Sequence, residues 1–403
     1  MLLPRGTHPE ARRLLLSRGL RAFVDGYVAI LLPAYLLVLG LGTWEVGLLS
    51  SATLAGSALV TLAIGAAGHR FHHRSLLLAA AMLMALTGFA FAGLGAFWPL
   101  LLVAFLGTLN PSSGDVSVFL PLEHARLAQA APAEAHTALF ARYRLIGAAA
   151  GGLGALAAAV PQHLMSIGMS ELEALRVMFI AYGAVGLVIF AMYRGLPRTE
   201  PVGRADAKPA LGPSRDTVLK LAAFFAVDSF ASGLVITSLL SLWLLQKFDL
   251  SLTAAGAFFF WAGLLSAASQ LLSPWLARRI GLLNTMVFTH IPANACLILA
   301  AFAPSLPLAL GLLLARSAMS QMDAPARSAF VMAVVTPAER AAAASVTAVP
   351  RSLAAAASPT VSGALLATGW LAAPLLVCGV LKIGYDLALL AAFRRTQVRT
   401  PRD

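Results

Sequence analysis

The chain has 403 residues, 59% of them hydrophobic and 11% charged, with a mean hydropathy of +0.83. A soluble globular chain carries about 25% charged residues, so a closed water-facing surface is excluded and a polytopic membrane protein is expected. The net charge of +12 would suggest nucleic acid in a soluble protein. Here the basic residues fall between apolar runs, where they read as topology signals facing anionic lipid, with no nucleic-acid partner.

At roughly 33 residues for each span and its loop, the length accommodates about twelve helices. Apolar runs long enough to cross a bilayer fall at about 14–40, 44–67, 75–95, 98–128, 134–160, 171–194, 217–246, 251–277, 282–303, 306–335, 339–368 and 370–394. These Leu- and Ala-rich runs lack the alternation of barrel strands, and a backbone in lipid has to satisfy its own polar groups, so helices are expected. No small-residue cleavage site follows a short apolar core, so the first run is expected to stay as the first span. Cys296 and Cys378 both lie inside apolar runs and give no disulfide framework.

Loop charge alternates along the chain. Arg5, Arg12 and Arg13 precede span one, Arg70 and Arg74 lie between spans two and three, and Arg126 lies between four and five. Arg278 and Arg279 separate spans eight and nine, Arg340 separates ten and eleven, and Arg394, Arg395, Arg399 and Arg402 follow span twelve. The turns at 161–170 and 303–307 carry no Lys or Arg, and Lys247 is the exception on that side. By the positive-inside rule both termini are expected in the cytoplasm, for a chain in the cell (inner) membrane. Residues 195–216, with Arg198, Arg204, Lys208 and Arg215 among Pro and Gly, read as a cytoplasmic linker. It would join a six-helix bundle over 1–194 to a second over 217–394, with 395–403 as a tail.

The halves repeat each other. AFVDGY at 22–27 matches FAVDSF at 225–230, SSGDVSVFLP at 112–121 matches SQMDAPARSA at 320–329, and PAE at 132–134 recurs at 337–339. Asp25 and Asp228, Asp115 and Asp323, and Arg144 and Arg351 then correspond, at offsets between 203 and 208 residues. Several matches in order at a nearly constant offset indicate duplication, as in transporters with parallel repeats.

With these features the chain resembles the major facilitator superfamily over essentially its full length. The family's loop signature between spans two and three, G-x-x-x-D-R-x-G-R-R, is matched loosely by Gly65-Ala-Ala-Gly-His69-Arg70-Phe-His72-His73-Arg74, with His69 in place of the Asp and His72 in place of the Gly. PWLARRIG at 274–281 keeps Arg279 and Gly281 at the counterpart position. The resemblance implies an all-α fold of twelve transmembrane helices in two pseudo-symmetric six-helix bundles, with Arg70, Arg74 and Arg279 in a gating latch. Arg316 looks like the arginine the family often carries in span four, here in the second half with Thr108 at the first-half position. Gly147, Gly151, Gly152 and Gly154 in span five are similar to the glycine-rich antiporter motif without its Gly-Pro pair.

An Asp or Arg at the centre of an inserted helix costs roughly 2.5–3.5 kcal/mol, so such residues face a cavity or a partner. Asp25 lies about 16 Å into span one at 1.5 Å per residue, and Asp228, Arg144 and Arg351 come to similar depth. In the resembled family spans one, four, seven and ten line the central cavity, and here each carries one aspartate: Asp25, Asp115, Asp228 and Asp323. With Arg144, Arg316 and Arg351 as counter-charges, these form the expected substrate-binding or proton-coupling set. Arg18, Arg21 and Asp25 share one helical face, as do Arg316, Ser320, Asp323 and Arg327. The competing reading makes Arg21–Asp25 and Arg316–Asp323 ion pairs that close the bundle. Arg142 and Arg144 point to opposite faces, and the repeat favours Arg144 inward. Glu123, at the inner end of span four, is expected to cap or to gate, together with Arg21. Asn110-Pro111-Ser112-Ser113-Gly114 and Pro325 are expected to interrupt spans four and ten and free backbone groups near mid-membrane.

His69, His72 and His73 have no Cys or carboxylate beside them, and no Walker loop, Ser/His/Asp set or zinc spacing appears, so no metal, cofactor or catalytic residue is expected. A sensor or a lipid-modifying enzyme using the same carboxylates is the reading from another class. The expectation is a monomeric, proton-coupled secondary transporter, working by alternating access, that exports a small organic or drug-like solute. Its partners would be that small-molecule or ion substrate, protons and membrane lipid. The alternative is a phosphate-like inorganic anion, because FVDGY, SGD followed by PLE, and FFAVDSF loosely look like the phosphate–proton symporter branch, departing from it at Ser113. A divalent metal held by the aspartates is a further alternative.

Overall fold

The computed structural model describes residues 7–67, 70–112, 118–197, 212–336 and 339–394, and these contain helices and turns but no strand. In chain order the helices are α1 (Glu10–Val38), α2 (Thr43–Ala67), α3 (His73–Gly93), α4 (Phe97–Leu106), α5 (Phe119–Gln129), α6 (Ala133–Leu156), α7 (Val160–Ser166) and α8 (Glu171–Arg194). They continue as α9 (Arg215–Gly233), α10 (Thr237–Phe248), α11 (Leu252–Ile280), α12 (Leu282–Ala301), α13 (Leu306–Ser317), α14 (Asp323–Val334), α15 (Arg340–Ala367) and α16 (Ala373–Phe393). Every expected apolar segment holds one helix or a consecutive pair. Among the described residues nine helical segments are long and apolar enough to cross a membrane, and α4 and α13 are shorter apolar helices.

Spans four, seven and ten are divided, after Leu106, Gly233 and Ser317 respectively. The break in span ten does not fall at Pro325, as its sequence suggested, but before it. Pro325 sits in the first turn of α14, where a missing N–H has no intrahelical partner to lose. Asp323 opens that helix, where the positive end of the macrodipole favours a carboxylate. Residues 113–117, including Asp115, lie outside the described residues, as do His69, most of the expected linker (198–211), Pro337 and Ala338 of the second PAE, and the tail beyond Arg394.

Packing divides the chain into two compact units, Met1–Arg204 with Ile236–Phe260, and Ala205–Val235 with Trp261–Asp403. In the first, small residues let backbones approach. A Cβ on Gly26 of α1 would stand 2.2 Å from the Gly151 carbonyl oxygen of α6, and one on Gly154 would stand 1.9 Å from that of Phe23. Gly147 makes room for the Arg18 guanidinium. The span-five glycines therefore seat α6 on α1. In the same unit Phe179 stacks on Phe91 and meets Tyr35 at a tilt, with ring centroids 5.5 and 4.6 Å apart. α10 joins this unit through Ser241, whose hydroxyl donates to the Ile30 carbonyl at 3.1 Å.

The second unit has its core where α9, α12, α14, α15 and α16 meet, around Leu221, Phe225, Met286, Phe330, Leu389 and Phe393. Gly281 joins α11 to α12 at φ 87°, a left-handed turn that a Cβ would strain, which accounts for glycine at the end of PWLARRIG.

Candidate functional site

The second unit buries a chain of alternating charges. Asp228 of α9 accepts from Lys382 Nζ of α16 at 2.8 Å through Oδ1, and from Arg327 Nη1 of α14 at 2.7 Å through Oδ2. Arg327 also meets Asp323, one turn earlier on its own helix, at 3.2 Å. In the other direction Lys382 Nζ lies 3.4 Å from His290 Nε2 of α12, and His290 Nδ1 lies 3.1 Å from Asp386 Oδ1 of α16. The order Asp323–Arg327–Asp228–Lys382–His290–Asp386 thus links four helices, and all but the half-buried Arg327 are buried. Helix periodicity assembles it: Lys382 and Asp386, like Asp323 and Arg327, are four residues apart and share a face. Arg351 of α15 stands beside the chain. Its Nε is 3.3 Å from Ser229 Oγ, and its guanidinium and that of Arg327 approach the Phe225 ring, at 5.8 and 5.7 Å.

The first unit holds a cluster around Glu123, whose side chain is 0% exposed. Arg21 Nη1 and Nη2 donate to its two oxygens at 3.1 and 2.7 Å, a bidentate pair. The Tyr143 and Tyr193 hydroxyls donate to the same carboxylate, and Ser17 Oγ lies 3.2 Å away. Arg21 also lies over the Phe119 ring, 4.3 Å from its centroid. At the end of this unit expected to face the cytoplasm, arginines from three helices hold the last carbonyls of α8 and the residues after it. Arg74 Nη2 donates to Arg194 at 2.7 Å, Arg13 to Gly195, and Arg126 to Pro197 at 3.3 Å and to Glu10. Cations complement the negative end of a helix.

Several expectations change in this geometry. Arg21 pairs with Glu123 and Asp323 with Arg327, in place of the Arg21–Asp25 and Arg316–Asp323 pairs. Glu123 caps nothing: it lies inside α5 and is filled by side-chain donors. Of the neighbours 142 to 144 it is Tyr143 that turns inward, while Arg144 is exposed and makes no ion pair among the described residues. Asp25 is buried on α1, one turn past Arg21. Arg316 is half-buried on α13, its Nε without a hydrogen-bond partner among the described residues. Arg70 and Arg279 are exposed, and Arg279 lies 5.1 Å from the centre of the Trp275 ring.

Lys382, His290 and Asp386 were missed by the sequence reading, which followed residues with a counterpart in the other half. The signal available was one lysine and one aspartate four apart inside the last apolar run, and one histidine inside the ninth.

A sequence profile of the Major Facilitator Superfamily matches residues 14–322. The chain is 24% identical over 420 residues to the uncharacterized membrane protein YJR124C of Saccharomyces cerevisiae, covering 95% of this chain and 94% of that one. Its fold is similar to that of the nucleoside transporter NupG, with a TM-score of 0.74 at 17% identity over 96% of this chain and 100% of that one. It is equally similar to a bacterial homolog of the human lysosomal transporter Spinster, with a TM-score of 0.74 at 15% identity over 98% and 100%. The chain is a multi-pass membrane protein that belongs to the major facilitator superfamily of transporters.

Proposed function

We propose that this protein is a proton-coupled secondary transporter of a small organic solute, working by alternating access, with Asp228 at the centre of its coupling machinery. The supporting observation is the buried chain through Asp228. Ionisable side chains inside a membrane are costly, and a row of them in contact is retained where charge has to move or be exchanged. In such a row, removing or adding one proton changes which neighbours attract, so helix packing responds to protonation. The orientation proposed, both termini cytoplasmic in the inner membrane, rests on the distribution of loop arginines, and the direction proposed is export in exchange for protons.

The test is solute-induced proton movement in proteoliposomes, read with a pH-sensitive dye against a panel of organic cations, carboxylates, phosphate and divalent metals. A signal from one class that Asp228→Asn abolishes, with the variant still folded, supports the reading, and its sign gives the direction. Solute flux that moves no protons overturns it.

An anionic solute is the second reading. Arg351 and Arg316 are cations of the second unit with no carboxylate in salt-bridge contact among the described residues. Divalent metal is less favoured, because both Asp228 oxygens already accept from cations and no group of three metal ligands assembles among the described residues.

A further inference from the structure

We propose that His290 and Asp386 together form a proton-binding site, and that Lys382 reports its occupancy to Asp228. This rests on the proton-coupled reading above and adds where the proton is held.

The hydrogen-bond inventory restricts the pair to one protonation pattern. A lysine ammonium has three donors and no acceptor. His290 Nε2, 3.4 Å from Lys382 Nζ, must therefore accept, and so carries no hydrogen. The imidazole hydrogen is then on Nδ1, donated to Asp386 Oδ1 at 3.1 Å. Asp386 Oδ2 is buried with no hydrogen-bond partner among the described residues, in a side chain whose residue is 0% exposed. The tautomer is thus set by one cation on one side and one carboxylate on the other.

One added proton cannot be absorbed without rearrangement. Placed on Nε2, it sets two cationic donors against each other at a distance where one must withdraw. Lys382 already donates to Asp228 Oδ1 at 2.8 Å, and withdrawal from His290 leaves it held by that contact. Placed on Asp386, it finds the unpartnered Oδ2. The two positions belong to one coupled site that binds one proton. In both cases the local charge rises by one and the balance among Lys382, Arg327 and Asp228 changes.

Lys382 of α16 adjoins the pair and Asp228 of α9 lies behind it, with Arg327 and Asp323 of α14 beyond; Arg316 of α13, Arg351 of α15 and Tyr385 of α16 are further titratable groups on the helices packed on α12 and α16. The pair has no counterpart in the first half. The positions 203 to 208 residues before His290 run from Met82 to Thr87, and those before Asp386 run from Met178 to Gly183, without a carboxylate or an imidazole. The site is an addition to the duplicated scaffold, placed next to the aspartate that the duplication supplied.

The experiment is infrared difference spectroscopy of the full chain in lipid nanodiscs, stepped between pH 8 and pH 5, with transport measured on the same preparations. Expected is a protonation band that disappears in both His290→Gln and Asp386→Asn. Lys382→Met leaves the pair in place and keeps the site testable if either of those variants fails to fold. It should retain the band with its midpoint moved to higher pH by about one unit or more, because a neighbouring cation has been removed. A band unchanged in His290→Gln and Asp386→Asn, or a midpoint unmoved in Lys382→Met, overturns the proposal. A wild-type protein that shows the band with these dependences but moves no protons with solute overturns proton-coupled transport and leaves the site standing.

Discussion

Glu123 and Arg327 are each the fifth residue of their helices, α5 and α14, and carry opposite charge. Each reaches the first helix of its own half: Glu123 meets Arg21 on α1, and Arg327 meets Asp228 on α9. In both units an ion pair joins the helix to the first helix of its half, with the signs reversed. The first-unit pair is closed by two tyrosines and a serine, whereas the second is extended by Lys382 and His290.

The closed pair is expected to act in stability. Glu123→Ala leaves Arg21 buried without its carboxylate and should cost about 3–5 kcal/mol, the range for breaking one side of a buried pair. The double variant Arg21→Met/Glu123→Leu should recover most of that loss, because no uncompensated charge remains. Unfolding midpoints of the purified protein in detergent check both, and a double variant as unstable as the single would refute the account.

In the extended pair, stability and transport should separate. Lys382→Met leaves Asp228 with Arg327, whereas Asp228→Asn weakens the pairing of Arg327 and Lys382 together. The expected order of stability is wild type, then Lys382→Met, then Asp228→Asn, with the two substitutions non-additive because they share a contact. A double-mutant cycle read by thermal unfolding checks this, with coupling of about 0.5–3 kcal/mol expected.

The contact between α1 and α6 should be intolerant of side chains. Gly154→Ala places a methyl group 1.9 Å from the Phe23 carbonyl oxygen, and backbone rather than a flexible side chain has to move. A loss of about 1–3 kcal/mol is expected. Gly263→Ala, where nothing lies within 4 Å of the added Cβ, is the control and should be near neutral. Equal unfolding midpoints for the two variants would refute the packing role of Gly154.

In the turn before α15, Glu339 is pulled down to about 2 by hydrogen bonds from Ser214, Thr336 and the Gly212 N–H. These donors join the start of α9 to the turn before α15. A carboxylate lowered on folding contributes stability that is full above its unfolded value, near 4.5, and is lost as pH falls towards about 2. Glu339→Gln should therefore lower the unfolding midpoint at pH 6, with the difference shrinking as pH falls below about 4.5. A difference independent of pH between 6 and 3 would show that the carboxylate charge plays no part.

The class of the molecule and the placement of its helices were determined by the sequence itself, because the cost of burying a polar backbone in lipid forces long apolar runs into helices whatever their neighbours do. The repeat is proposed on the same ground: spans that keep their order along the chain let aspartates recur at a near-constant offset. Which charge meets which was not legible. Arg21 and Asp25 lie one turn apart on one face, yet the partner of Arg21 comes from 102 residues away, because the packing of α5 on α1 brings Glu123 to it. Pro325 looked like the cause of a kink and instead lies in the first turn of a new helix. Arg144 followed from the repeat, and the rotation of α6 on its glycine contact with α1 turned Tyr143 inward in its place. Lys382, His290 and Asp386 have no pattern in one dimension, since an ion chain across four helices depends on how those helices are rotated about their own axes. A few degrees of side-chain direction, set by the packing of α9, α12, α14 and α16, decide whether such groups touch, and tertiary structure alone supplies that.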